Sequence, residues 1–217
     1  MNLLFKVGLL GLVFSFVAGC ATRQPYDYSA YKASDPKSIL VLPPKNSSPD
    51  VKAPNSFYSY TTAPLAEAGY YVFPVALVDE TFKSNGMTVN DEIHLVSHSR
   101  LQQIFGADAA LYVDITDYGT RYMVLNSASV VTATGKLVDL RTGNLLWEGK
   151  ATASSAEGES NQGGLAAMLV GAIVKQVLGT ALDQSHRIAG ITSIRLLSPT
   201  MPNGILYGPR NSQYKSK

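Results

Sequence analysis

The chain has 217 residues, 46% of them hydrophobic and 16% charged, with a formal net charge of +2 and one cysteine. That composition supports a buried core and excludes a disordered polymer, while so small a charge gives no basic field for nucleic acid. A single thiol excludes an intrachain disulfide framework, so the fold must rest on packing.

The first residues read as an export signal: Lys6 supplies a positive flank, residues 7–16 an apolar stretch, and Val17, Ala18 and Gly19 lead into Cys20. The stretch is too short to cross a bilayer, which takes about 20 apolar residues in a helix. Small residues ending at a thiol resemble the bacterial lipobox. The resemblance implies that Val17, Ala18 and Gly19 are the signal-peptidase recognition residues, that residues 1–19 are removed, and that Cys20 carries diacylglycerol and then an amide-linked acyl chain such as palmitate. Each buried methylene contributes about 0.8 kcal/mol and stable attachment takes more than one chain, so such a terminus stays in its membrane. Ala21, rather than an aspartate, resembles the class exported to the outer membrane.

Ala21 to Lys37 contains Pro25, Pro36 and the tyrosines Tyr26, Tyr28 and Tyr31 without a helical or strand period. It reads as a tether that reaches about 55–60 Å when fully extended, the other reading being that its tyrosines pack on the domain. Ser38–Leu42 is an apolar run stopped by Pro43 and Pro44, as in a strand buried on both faces. A helix over Ser56–Ala68 ending at Gly69, a strand over Tyr70–Val75 and a short helix over Ala76–Phe82 follow. Asn90 or Asp91 then opens a helix that runs to Phe105 and closes at Gly106.

Ala109–Thr116 alternates, with Leu111, Val113 and Ile115 on one face and Ala110, Tyr112 and Asp114 on the other. Tyr118, Gly119 and Tyr122 mark a bend into a second strand, Ser127–Asp139. Turn formers at Arg141–Asn144 lead into Leu145–Glu148, which predicts a hairpin. Ala156–Gly164 is a polar loop, and Gly164–Leu182 predicts an apolar helix whose uninterrupted run is too short to span a membrane. Gly163, Ala167 and Gly171 repeat every four residues, which fits either a core helix or a self-association face. A last strand over Ile191–Leu197 and a surface tail over Ser198–Lys217 complete the chain. The expected fold is α/β: a single domain over residues 38–197, a mixed β-sheet with helices packed against it, plus a C-terminal β-hairpin and the apolar helix. Signal peptide (1–19), acylated cysteine and tether (20–37) and C-terminal tail (198–217) lie outside it.

Chemistry is sparse. The G-x-S-x-G elbow, the phosphate-binding glycine–lysine loop and G-x-G-x-x-G are absent from the sequence. His94 and His98 lie four apart behind Asp91 and Glu92, but a zinc site needs three or four ligands, so exposed helix residues are expected. Asp114 and Asp117 could form a carboxylate pair, yet regular alternation sends them to opposite faces. Asn46-Ser47-Ser48 matches a glycosylation triplet and reads as an ordinary loop. Trp147 shares a strand face with Leu145, Gly149 and Ala151, which predicts core packing. No catalytic residue, metal or cofactor is expected beyond the lipid on Cys20.

The segments Phe105-Gly106-Ala107-Asp108-Ala109-Ala110-Leu111-Tyr112-Val113, Tyr118-Gly119 and Leu137-Val138-Asp139-Leu140-Arg141-Thr142-Gly143-Asn144-Leu145-Leu146-Trp147, with Ile39–Pro44, resemble the lipoproteins grouped as domain of unknown function 799, some considered as surface antigens. The resemblance implies a TolB amino-terminal-domain-like fold and a relationship to CsgG-type secretion lipoproteins. It implies partners among other envelope lipoproteins and assigns no catalytic residue. The expected function is a non-enzymatic lipoprotein, anchored in the outer membrane with its domain in the periplasm or at the surface, that binds protein partners in an envelope transport or secretion complex and forms a homodimer. The alternatives are a regulator of a cell-wall enzyme or a peptidoglycan-binding lipoprotein, and a hydrolase without a local motif.

Overall fold

The computed structural model describes residues 26–122, 127–158 and 184–214. Val17, Ala18, Gly19 and Cys20, and the apolar helix with Gly163, Ala167 and Gly171, lie outside the described residues. One mixed sheet organises the rest, with β1 (Ser38–Val41), β2 (Lys45–Asn46), β3 (Tyr71–Val72), β4 (Ala109–Tyr122), β5 (Ser127–Asp139) and β6 (Leu145–Ser154). The order is β3-β1-β4-β5-β6, with β2 pairing β4 beyond the end of β1. β1 lies parallel to β3 and β4, whereas β4, β5 and β6 form an antiparallel meander.

The apolar run of β1 exists because both of its faces are covered. Ile39 and Val41 enter one core and Leu40 and Leu42 the other. β4 divides the same way, Leu111, Val113 and Ile115 against Ala110 and Tyr112, as its alternation predicts. The prolines stop β1, and parallel pairing resumes at β2.

The helix expected over 56–68 is two short helices, α2 (Ala53–Tyr58) and α3 (Thr62–Glu67), following α1 (Ser29–Ser34). Between them Ser59 Oγ donates to Ser56 O (2.8 Å) and Thr61 Oγ1 to Tyr58 O (2.8 Å), local bonds that compete with helix continuation. Pro64 is tolerated only because it falls in the first turn of α3, where its missing N–H would lack a helical partner anyway. After β3, shorter than the expected 70–75 strand, comes α4 (Val75–Ser84). The helix expected over 90–105 is also divided, into α5 (Asn90–Ile93) and α6 (His98–Phe105). Asn90 does not cap it: its Nδ2 donates to Pro44 O (2.7 Å), and Ser97 caps α6 instead, accepting from Arg100 N (3.3 Å). Gly106, at φ +69°, closes α6 as expected.

The bend expected at Tyr118–Tyr122 is a continuation of β4, carried past a bulge at Thr116: Ile115 pairs with Ala133, but Asp117 with Thr132. The predicted hairpin is present, with a second irregularity, since Leu137 pairs with Trp147 and Val138 with Leu145. This rotates Leu145 off the face of Trp147: Leu145 is 44% exposed, whereas Leu146 is buried. The last expected strand is a helix, α7 (Gln184–Leu197). Its buried Ile188, Ile191, Thr192 and Leu196 recur at helical spacing, and a run of β-branched residues yields to that face being packed on β5 and β6. Among the described residues no helix is long and apolar enough to cross a membrane.

Candidate functional site: a tyrosine-lined cleft

The described parts of the expected tether, residues 26–37, and of the expected tail, residues 198–214, belong to the domain. Within the expected tether, α1 buries Tyr31 to 2% exposure, and the backbone amides of Lys37 and Ser38 donate to Asp108 Oδ2 (2.9 and 3.0 Å). Glu148 N, on the outer edge of β6, donates to the Tyr26 hydroxyl (2.9 Å). The expected tail packs against this segment, with Ile205 in the core. The reason is aromatic donors aimed at its carbonyls: Trp147 Nε1 donates to Asn203 O (2.8 Å), Tyr28 to Gly204 O (2.5 Å) and Tyr70 to Leu206 O (2.7 Å). Each such bond contributes about 1 kcal/mol, and an unpaired buried carbonyl would cost more. Further along, Gly208 N donates to Ala68 O (2.8 Å) and Arg210 N to Gly69 O (3.1 Å). Gly69 sits at φ +100°, and a Cβ there would lie 2.5 Å from Asn211 N, so only glycine lets the two segments close.

Between α1 and the 199–214 segment lies a cleft of about 580 Å³. Tyr26, Tyr28, Tyr31, Tyr70, Tyr207 and Tyr214 line it together with Met201, Ile205 and Leu206, and Lys32 and Asp35 also border it. The first rings adjoin, Tyr26 and Tyr28 at 4.8 Å between centroids and Tyr28 and Tyr31 at 6.3 Å. Tyr31 donates to the Tyr70 hydroxyl (2.8 Å), which donates onward to Leu206 O, and the Tyr214 hydroxyl bonds Asp35. Burial pushes the Tyr28, Tyr31 and Tyr70 phenols above their ordinary range, so they stay neutral at physiological pH. Because these hydroxyls are engaged within the protein, Tyr28, Tyr31 and Tyr70 offer ring faces to a ligand, beside the aliphatic groups and the charged Lys32 and Asp35.

The residues singled out by sequence serve structure. His94 Nε2 donates to Pro43 O (2.9 Å), and its pKa is lowered by burial. His98 Nδ1 donates to Leu140 O (3.2 Å), and the ring packs on Gly143. The two histidines are therefore partly buried, His94 just past the end of α5 and His98 at the start of α6, rather than exposed on one helix, and each braces a different loop. Asp91 pairs with Lys45 (3.2 Å), and Glu92 is exposed. Among the described residues no three His, Cys, Asp or Glu side chains gather as a metal site. The bulge at Thr116 overturns the expected separation of Asp114 and Asp117, because their partners Thr134 and Thr132 share a face. Asp114 accepts from Ser47 Oγ (3.0 Å) and Asp117 pairs with Arg121. Asn46 Oδ1 closes a local turn on Ser48. Trp147 is in the core as expected, at 1% exposure. Neither wall of the cleft carries a helical or strand period in the sequence; their density of tyrosines is the one local signal of it.

The fold defines a single-domain mixed α/β protein whose residues 26–36 are bound into the body, with a tyrosine-lined cleft beside them. Residues 26–210 match the family described as "Putative lipoprotein GNA1162-like", and the chain belongs to that family. It is 48% identical over 185 residues to "Putative lipoprotein NMB1124/NMB1162" of Neisseria meningitidis serogroup B (strain ATCC BAA-335 / MC58), an alignment covering 85% of this chain and 86% of that protein. Among solved structures it is similar to the crystal structure of lipoprotein GNA1162 from Neisseria meningitidis, at 49% identity and a TM-score of 0.54, covering 67% of this chain and all of that one.

Proposed function

We propose that this chain is a non-enzymatic lipoprotein, held at the outer membrane by acyl chains on Cys20, whose domain binds protein partners in assembling or stabilising an envelope transport or secretion complex. The observation that carries this reading is the packing of Tyr26 to Pro36 into the domain. It leaves only residues 20–25 as a spacer, a reach of about 20 Å at full extension instead of the tether's 55–60 Å. A domain confined to so thin a layer meets partners in the same membrane at a raised effective concentration and has little reach to an enzyme across the periplasm. The resemblance to TolB-like and CsgG-type proteins supports other envelope lipoproteins, or a second copy of this chain, as those partners. The test is crosslinking in intact envelopes, with Cys20→Ser beside the parent protein. The parent should fractionate with the outer membrane and capture another lipoprotein there, and the variant should lose both properties. Unchanged membrane recovery of the variant, or capture of inner-membrane enzymes alone, refutes the proposal.

A further inference from the structure

We infer that the tyrosine-lined cleft is a binding site for a fatty acyl chain, and that its occupant is one of the chains carried on this protein's own Cys20. The second half rests on the acylation proposed above; the first does not.

Three observations carry it. Most of the lining is apolar: Tyr28, Tyr31 and Tyr70 spend their hydroxyls on Gly204 O, on one another and on Leu206 O, which leaves ring faces together with Met201 and Leu206. Over those ring faces a sugar would lose its hydrogen bonds to water without replacement, whereas a hydrocarbon chain has none to lose, and Lys32, Asp35 and Gln213 supply the polar part of the lining. The volume of about 580 Å³ lies inside the range of small-molecule sites, and the wall is preformed because the carbonyls of Asn203, Gly204 and Leu206 are all fixed by aromatic donors. Reach supplies the occupant. Tyr26 lines the cleft, and five residues separate it from Cys20, so at full extension the two lie within about 20 Å of each other. An acyl chain there is shielded from water whenever the anchor is not fully in a bilayer.

The experiment has two arms. In the first, unacylated mature protein carrying Cys20→Ser is titrated with cis-parinaric acid, a fluorescent fatty acid. Saturable fluorescence gain at one site per chain is expected, weakened at least tenfold by Met201→Glu or Leu206→Glu, with unchanged Trp147 emission reporting an intact fold. Absence of saturable binding to the parent, or binding that both folded variants retain, overturns the site. In the second arm, cells are fed a diazirine-bearing fatty acid and irradiated, and the protein is digested with trypsin. A crosslink within one chain between the lipid-bearing peptide 20–23 and the peptide 196–210 is expected. Label on Cys20 that crosslinks only to bilayer lipid overturns the protein's own chain as occupant. Absence of label from Cys20 overturns that occupant together with the anchoring proposal, and the titration still decides the site.

Discussion

Asp139 ties the hairpin turn to α1, and its removal tests whether the expected tether is part of the folded body. Its carboxylate is 2% exposed: Oδ1 accepts the amides of Arg141 (2.7 Å) and Thr142 (2.9 Å), and Oδ2 accepts Ser34 Oγ (2.5 Å) and Arg141 Nη2 (3.2 Å). Burial alone would raise the pKa, but the Ser34 hydroxyl, the two amides and the guanidinium outweigh it and hold the group at about 2, against 3.8 in an unfolded chain. At about 1.36 kcal/mol per pH unit, that difference is about 2 kcal/mol of stability. Because the folded value is the lower one, the contribution is complete above about pH 5 and is lost as pH falls toward about 2. Asp139→Asn keeps the shape and removes the titration. Urea unfolding followed by the emission of Trp147, the sole tryptophan, should show the Asp139→Asn protein less stable than the parent by about 2 kcal/mol at pH 7, the difference shrinking to under about 0.5 kcal/mol near pH 2. A gap that stays constant from pH 7 to pH 2, or none at pH 7, refutes the assignment.

Gly149→Ala should destabilise the protein by about 1–3 kcal/mol, because a Cβ there would lie 2.3 Å from Trp147 Cζ2. The indole cannot retreat freely, since Gly135 packs on its other atoms and Nε1 is bonded to Asn203 O; a red-shifted Trp147 emission would accompany the loss, and an unchanged midpoint in urea would count against the packing described. Tyr70→Phe removes the hydroxyl that links Tyr31 to Leu206 O, leaving a buried donor and a part-buried acceptor without that partner, at a cost of about 1–3 kcal/mol. Proteolysis should then cut first within residues 199–214, and a cleavage pattern identical to the parent's would contradict the pinning of that segment.

Much of the scaffold was legible because its signal is local. β1 and β4 announce themselves by a two-sided apolar run and a clean alternation, the hairpin by Arg141–Asn144, and the end of α6 by Gly106, each set by interactions within a few residues. The divided helices were missed where side chains competed for the backbone, at Ser59 and Thr61 and at Ser97. The Thr116 bulge was invisible because a one-residue insertion leaves each flanking alternation intact while reversing the face of everything after it, which is why Asp114 and Asp117 were wrongly separated. The strand expected over Ile191–Leu197 is a helix because its apolar face packs on β5 and β6.

The sequence by itself determined β1, β4, β5 and the hairpin, since periodicity and turn residues are written in neighbouring positions. Tertiary structure alone decided that Tyr26–Pro36 and residues 199–214 are walls of the domain and that a cleft lies between them. Neither segment has a pattern of its own. Their order comes from Trp147, Tyr28 and Tyr70 meeting carbonyls remote in the chain, and a bond between distant residues leaves no mark in the local sequence.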